Sequence, residues 1–499
     1  MKTIKELITN TSTIQTTGNL DVLVASICFD TREVSNGSLF IAQQGTKTDG
    51  HAFVEQAIEK GAIGVVVERM PDIVYPHVCY IQVSSSRYAL GVLASNFYDN
   101  PSEQLQLVGV TGTNGKTTAV TLLHALFLDL GYKTGLISTI ENKIHQKSIP
   151  ATHTTPDAVT INQLLREMVD EGCAYCFMEV SSHAIVQERI AGLKFAGAAF
   201  SNITHEHLDY HKTFKEYIAA KKLFFDHLPK SAFALTNLDD VNGKVMIQNT
   251  KANCKTYSLQ NAACDFKAKL QECSLDGINM TVDGTNVWFR LIGKFNAYNL
   301  LCIYSIARLL GVDKNEALTH ISKLKPAQGR FEAIENKGIT VVVDYAHTPD
   351  ALLNVLNTLN DICKKNQEIV CVFGCGGDRD KIKRPEMAKI ACRLSHRVII
   401  TSDNPRTENP SEIISDIYKG VSQENEYKAM VIEDRKQAIK VAISTAKTGS
   451  IVLIAGKGHE IYQEINGVRN HFDDMEVAKN CLNHDFNKIN KINKIICNE

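Results

Sequence analysis

One stretch constrains this chain more than any other. LQLVGV (105–110) runs into TGTNGKTT (111–118) and on into TTAVTLLHALFLDL (117–130). The first segment is an apolar run of strand length. The last carries Val120, Leu123, Leu126, Phe127 and Leu130 at helical spacing and is stopped by Gly131. Strand, glycine loop and helix in that order build a phosphate cradle, in which backbone N–H groups, a lysine and a hydroxyl converge on oxygens. Gly112 and Gly115 supply the permissive positions, Lys116 the cation and Thr117 the hydroxyl. Thr113, Asn114 and Thr118 complete the loop. The general pattern G-x-x-x-x-G-K-[ST] asks for a further glycine at position 110, where Val110 stands. The alternative is a glycine-rich turn bearing a surface lysine.

Around this unit the chain reads as α/β in three domains, 1–101, 102–329 and 330–499. The first has short segments such as GSLFIAQQG (37–45), AFVEQAIEK (52–60) and GAIGVVVE (61–68). The second continues with strand-like CAYCFMEV (173–180), AGAAFSNIT (196–204) and SAFALTN (231–237), alternating with helices as a mostly parallel sheet requires. The third repeats the alternation with ITVVVDYA (339–346), EIVCVFG (368–374), RVIITSD (397–403) and SIVLIAG (450–456). Ligands of such sheets sit outside the carboxyl ends of the strands.

Composition excludes several classes. Lys+Arg (54) and Asp+Glu (55) nearly cancel, which argues against a globally basic nucleic-acid binder. No apolar run approaches membrane-span length, MKTIKELITN has no apolar signal core, and 14 cysteines are scattered. A cytoplasmic protein with free thiols is expected. Cys173 and Cys176 read as buried small side chains rather than a metal or redox pair. The tail NKINKINKII (487–496) reads as a frayed terminus.

Two clusters bear on chemistry. MEVSSH (178–183) places Glu179 beside Ser181, Ser182 and His183 at a strand end, and HEHLDYH (205–211) gathers three histidines with Glu206 and Asp209. Such groups near phosphates suit Mg²⁺ or form an ordinary solvated loop.

TGTNGKTT, MEVSSHAI (178–185), HEHLDYH, AAKKL (219–223), GKFNAYN (293–299), GRFE (329–332), VVDYAHTPDAL (342–352), GCGGDRDKIKRP (374–385), DNPRTE (403–408) and AGKGHE (455–460) occur in this order. The series resembles the Mur ligases, whose phosphate loop lacks the earlier glycine. The resemblance implies a UDP-substrate-binding N-terminal domain, a central ATP-binding domain and a Rossmann-like C-terminal domain. It implies an amide ligation through an acyl phosphate, with ATP and Mg²⁺ as cofactors. The expected substrates are UDP-N-acetylmuramoyl-L-Ala-D-Glu and meso-diaminopimelate, and a monomer is expected.

Residue by residue, the resemblance implies Mg²⁺ on Thr117 and Glu179, a second Mg²⁺ on His207, and a carbamylated Lys221 helping to orient metal. An ordinary helix-surface lysine is the alternative at Lys221. Asn296, Asn299 and Asp344 match adenine and ribose positions, with helix capping as the alternative for the two asparagines. Arg330 and His347 match positions near the phosphates. Thr31, Arg32, Gly45 and Thr46 match uridine-side contacts. Thr154, Thr155, Ser182, Gln187 and Arg189 match sugar and peptide contacts. Arg384, Asp403, Asn404, Pro405, Arg406, Gly456 and Glu460 match contacts to the incoming amino acid. Arg406 can fork onto the second carboxylate of diaminopimelate, while Asp403 and Asn404 take its ammonium. A lysine-adding ligase, a folylpolyglutamate synthase and a non-catalytic ATP-binding scaffold are the competing readings.

Overall fold

The computed structural model describes residues 1–45, 48–204, 208–364 and 366–483. Each of the three units is organised around its own sheet. In the N-terminal unit five strands lie in the order Thr13–Thr17, Cys79–Val83, Ala62–Val67, Ser38–Ile41, Ser26–Cys28, and only the Thr13–Thr17 edge is antiparallel. Helix Ser86–Phe97, capped by the Ser85 hydroxyl on Tyr88 N–H, covers one face and reaches the second unit. There Ser85 Oγ donates to Glu188 Oε2 at 2.7 Å, and Gly91 meets Ala191 so closely that a side chain would collide with its backbone.

The central sheet has eleven strands. Its parallel core runs Thr134–Ile137, Tyr175–Glu179, Gln106–Thr111, Gly197–Phe200, Phe233–Asn237, Asn253–Ser258, Phe266–Ser274. Antiparallel extensions, Glu141–Ile144 with Lys147–Pro150 at one edge and Gly277–Val282 with Thr285–Phe289 at the other, were absent from the sequence expectation. These strands are short or half-exposed, so they lack the unbroken apolar run that marks a strand buried on both faces.

Helix Lys116–Asp129 forms for the reasons its spacing predicts. Val120, Leu123, Leu126 and Phe127 are fully buried against the sheet, and shortening one of these leucines to alanine costs about 2–5 kcal/mol. The helix ends at Gly131 (φ +90°): Gly131 N–H donates to Leu128 O and Tyr132 N–H to Phe127 O, both at 2.9 Å. That is a Schellman stop, which needs the left-handed residue glycine tolerates best.

The C-terminal sheet has six strands, Glu332–Asn336, Ile339–Asp344, Ile451–Ala455, Ile369–Phe373, Arg397–Ile400, Ala429–Val431, with only the first antiparallel. A two-stranded hairpin, Tyr462–Ile465 with Val468–His471, projects beyond it and turns through Asn466 and Gly467, both at positive φ. No helix among the described residues is long and apolar enough to cross a membrane.

Candidate active site

The register of the central sheet explains where chemistry gathers. Strand Gln106–Thr111 lies between Tyr175–Glu179 and Gly197–Phe200, with Val110 opposite Glu179 and Thr111 opposite Phe200. The three carboxyl ends therefore bring the 111–118 loop, Glu179 and Ser201–Asn202 together. Thr113 N–H donates to Asn202 O (2.8 Å), Asn114 N–H to Asn202 Oδ1 (2.9 Å), and Ser201 Oγ to Asn114 O (2.6 Å). Gly112 and Gly115 both have positive φ, and a Cβ on them would run into Ser201 Oγ and Asn299 Oδ1 respectively. No side chain caps the helix at Gly115, so the first-turn N–H groups remain available to an anion. Lys116 Nζ curls over the loop, donating to Gly112 O and Thr113 O at 2.8 and 2.7 Å. Thr118 is buried beneath it.

Thr117 Oγ1 donates to Glu179 Oε2 at 3.0 Å, while Glu179 Oε1 accepts Thr139 N–H at 2.7 Å. A hydroxyl and a carboxylate held together at the mouth of a phosphate cradle form an oxygen donor set of the kind Mg²⁺ takes. Lys221 is 1 % exposed and donates to Gly112 O at 2.9 Å, with its ammonium 4.6 Å from the Tyr217 ring. The surface-lysine alternative thus falls for Lys221; its neighbour Lys222 makes an ordinary i,i+4 pair with Asp226. His207, together with His205 and Glu206, lies outside the described residues, as do Thr46 and the 487–496 tail.

The residues expected on the sugar and peptide side also cluster. Thr155 Oγ1 donates to Glu179 O (2.8 Å) and accepts Ser181 N–H (3.1 Å), while Thr154 Oγ1 meets Thr139 Oγ1 at 3.1 Å. Arg189 donates to Thr155 O at 2.7 Å and twice to Gln187 Oε1. Ser182 Oγ and His211 Nε2 are 2.9 Å apart. In the N-terminal unit Arg32 is exposed and forked onto Asp30, whose carboxyl it pulls down to about 2. Lys60 holds Thr31 O at 2.8 Å, and Gly45 N–H donates to Thr48 O at 2.9 Å. No hydrogen bond among the described residues joins Thr31, Arg32 or Gly45 to the phosphate loop.

Asn296 Nδ2 donates to Ile292 O (2.8 Å) and Asn299 Nδ2 to Asn296 Oδ1 (2.9 Å). Neither caps the helix Lys294–Leu309, whose N-cap is Gly293. Asn299 instead lies against Gly115.

The third unit meets this loop directly. Arg330 Nη2 donates to Thr117 Oγ1 at 3.1 Å, and Asp350 Oδ2 accepts from Asn114 Nδ2 and Thr204 Oγ1, both at 2.9 Å. Arg330 stacks over the Tyr345 ring at 4.7 Å, and Tyr345 OH donates to Glu460 Oε1 at 3.3 Å. Glu460 Oε2 in turn accepts from Asn404 Nδ2 at 2.7 Å. Contacts thus run unbroken from the phosphate loop to DNPR. His347 Nδ1 sits 2.9 Å from Tyr345 O. Asp344, buried and accepting Phe331 N–H at 2.7 Å, is pushed up to about 6 by desolvation, against the pull of Arg330. His459, half-buried near Arg330, is pushed down to about 3, chiefly by desolvation.

The DNPR loop leaves the carboxyl end of strand Arg397–Ile400. Asp403 is 6 % exposed, and its Oδ1 has no hydrogen-bond partner among the described residues, although Lys457 Nζ is 3.3 Å away. Burial raises this carboxyl, but Lys457 and Arg435 outweigh it and hold the group below its ordinary value. Asn404 departs from expectation. Its Oδ1 already accepts from Lys457 Nζ (2.7 Å) and Glu464 N–H (3.0 Å), both obligate donors, so the amide presents N–H rather than an acceptor. Its Oδ1 is therefore not free to accept from an ammonium; the buried Asp403 carboxylate and the half-buried Glu460 carboxylate lie beside it. Arg406 stands at φ +52° with its Nη1 on Gly377 O at 2.7 Å. The hairpin clamps its backbone, accepting its N–H on Glu464 O and donating Asn466 N–H to its carbonyl. Pro405 packs against Gly377, and Gly456 (φ +119°) has no room for a side chain beside Asp403. Arg384 does not present its guanidinium to solvent: it is fully buried and pairs with Glu408 (2.8 Å) and Asp416 (3.0 Å) under the loop.

Sequence reasoning missed Lys457, Arg435, Asp474 and Asp350. Lys457 and Asp350 stand inside quoted motifs, so a charged residue there was a readable signal. Arg435 and Asp474 meet across 39 positions (Arg435 Nε on Asp474 Oδ1 at 2.8 Å, Nη2 on Oδ2 at 2.7 Å), and no spacing announces them.

Family models match in the expected order: "Mur ligase family, catalytic domain" over 23–98, "Mur ligase middle domain" over 110–307 and "Mur ligase, glutamate ligase domain" over 329–458. A UDP-N-acetylmuramoyl-L-alanyl-D-glutamate–2,6-diaminopimelate ligase of Cytophaga hutchinsonii is 58 % identical over 481 residues, covering 96 % of this chain and 99 % of the relative. The enzyme of that name from Bacteroides fragilis is 51 % identical, covering 95 % and 98 %. A solved structure of a ligase with the same name aligns at 33 % identity with a TM-score of 0.70, covering 97 % of this chain and all of that one. With three domains in sequence order, a phosphate loop of the matching subclass and full-length relatives sharing over half its residues, the chain belongs to the Mur ligase family.

Proposed function

We propose that the chain is an ATP-dependent ligase that adds meso-2,6-diaminopimelate to UDP-N-acetylmuramoyl-L-alanyl-D-glutamate in peptidoglycan precursor synthesis. The observation that carries this reading is the contact path Thr117–Arg330–Tyr345–Glu460–Asn404, which joins a phosphate end to an amino-acid end. Ligation needs both ends: a D-glutamyl carboxylate oxygen attacks the γ-phosphorus of ATP as the bond to ADP breaks. The amine nitrogen then attacks the acyl carbon, loses a proton, and phosphate leaves.

Two anions must approach each other, so cations dominate the first end. Lys116, Arg330 and the uncapped helix turn serve there. Thr117 and Glu179 would hold one Mg²⁺, and His207, on its sequence motif alone, would hold a second. The metal, when bound, supplies charge neutralisation at the phosphates. Lys221 is read as the carbamylated lysine, which its burial against the loop supports. Asn296, Asn299, Asp344 and His347 serve the nucleoside and phosphates. Thr31, Arg32, Gly45, Thr46, Thr154, Thr155, Ser182, Gln187 and Arg189 serve the UDP-sugar peptide. Arg406 takes the distal carboxylate of diaminopimelate, and Asp403 with Glu460 its ammonium; Arg384 supports their loop. The whole path lies within one chain, so a monomer suffices, and the reaction belongs in the cytoplasm where activated nucleotide sugars are made.

A lysine-adding ligase is the reading to exclude. Arg406 argues against it, since lysine leaves that guanidinium without a carboxylate. Phosphate release with ATP, Mg²⁺ and the UDP-muramoyl dipeptide should be faster with meso-diaminopimelate than with L-lysine, and Arg406→Ala should erase at least about 100-fold of that preference. Faster release with lysine would refute the assignment.

A further inference from the structure

The ion cluster behind DNPR contains one residue that the reaction as described does not use. Lys457 is fully buried, yet its ammonium reaches four groups: Asn404 Oδ1 and Tyr462 O at 2.7 Å, Asp403 Oδ1 at 3.3 Å and Glu460 Oε2 at 4.0 Å. Burying a lysine side chain is costly unless its charge is matched. Here two carboxylates and two neutral oxygens match it. A structural ion pair would need only one of them. The arrangement has a further effect: a donor-only ammonium on one side of Asn404, with Glu464 N–H beside it, allows only one orientation of the amide. The N–H₂ end must then face Glu460, which it meets at 2.7 Å.

We propose that Lys457 is a positioning residue for the incoming amino acid: it fixes the Asn404 amide and the paired Asp403 and Glu460 carboxylates as one preset subsite for the ammonium group. This rests on the ligase reading above. Asn404 oriented in this way steers Glu460, and Lys457 keeps Asp403 ionised in a buried place, which the lowered pKa of that carboxyl supports. Without Lys457 the Asn404 acceptor has lost its main donor, the amide can turn over, and the buried Asp403 and half-buried Glu460 carboxylates are left with less positive charge between them. Lys457 itself makes no hydrogen bond or ion pair to the phosphate loop among the described residues, so its loss should fall on the second substrate first.

The test uses the full-length protein and whichever of meso-diaminopimelate and L-lysine the wild type prefers. A wild type preferring lysine would refute the reading of Arg406 without touching this comparison. Lys457→Met should raise KM for the amino acid by about 10- to 100-fold, as loss of a buried hydrogen-bond partner does. KM for ATP and for the UDP-muramoyl dipeptide, and the rate of acyl phosphate trapped by hydroxylamine without amino acid, should stay within about twofold of wild type. Lys457→Gln, which keeps an N–H donor and loses the charge, should fall between the two, and it stands in if the methionine variant does not fold. In an Asn404→Ala background, Lys457→Gln should add markedly less to KM than it does alone, because the two residues act in series. Parallel loss in the hydroxylamine assay, an unchanged KM for the amino acid, or additive effects in the double variant would each overturn the proposal.

Discussion

Asp344 offers a quantitative test of how a buried carboxyl is held at the start of the third unit. Its carboxyl is buried beside Phe331 N–H and is pushed from 3.8 up to about 6 by desolvation. A carboxyl raised on folding binds its proton more tightly in the native state. Its contribution is therefore fully present below the unfolded value and is lost as pH rises through about 6. At about 1.4 kcal/mol per unit, the shift is worth about 3 kcal/mol, of which about 2 kcal/mol falls between pH 4.5 and 8. Asp344→Asn keeps an oxygen for Phe331 N–H and cannot ionise. In the absence of nucleotide the variant should gain on the wild type as pH rises, by roughly 4–8 °C in the midpoint of C-terminal-domain unfolding between pH 4.5 and 8. Thermal unfolding of both proteins across that range cancels every other titration. A difference between them that does not change with pH would refute the buried-carboxylate account.

Three further outcomes follow from the geometry. Gly115→Ala should weaken ADP binding by at least about tenfold in calorimetry, because φ +88° disfavours a side chain and the Cβ meets Asn299. Gly131→Ala, with similar φ and open space around it, should cost about 1 kcal/mol of stability and leave ADP binding alone. Arg435→Met should cost about 3–5 kcal/mol in denaturant unfolding, since it strands the fully buried Asp474, and Arg435→Met with Asp474→Leu should recover most of it.

The sequence made the parallel cores of the two larger sheets legible because strands buried on both faces must be continuous apolar runs, as VVV at 341–343 and IVCVF at 369–373 are. The antiparallel edges were illegible for the opposite reason: ENKI at 141–144 buries only alternate residues over four positions. Glu179 at a strand end and Thr117 in the first turn of the following helix lie within hydrogen-bond distance, as their motifs led one to expect, while Asp403 sits apart in the third unit beside Lys457. Asn404 shows where such reading stops. An asparagine can donate or accept, and only the neighbours brought to it by folding, Lys457 and Glu464, decide which end it offers. Arg406 is similar: DNPR names the guanidinium, but the hairpin sixty residues on holds its backbone left-handed.

Strand Gln106–Thr111 takes its two neighbours from residues 175–179 and 197–200. On the ribosome, the loop that follows it therefore emerges long before either flank exists. The N-terminal sheet, whose strands all lie before residue 84, can close while this apolar strand still waits with both edges unpaired. Non-local pairing of this kind is slow and leaves sticky edges exposed. The loop at 111–118 can thus gain both of its flanking strands only once residue 200 has been made, and the segment around Leu107–Val110 is where a chaperone would most usefully hold the nascent chain.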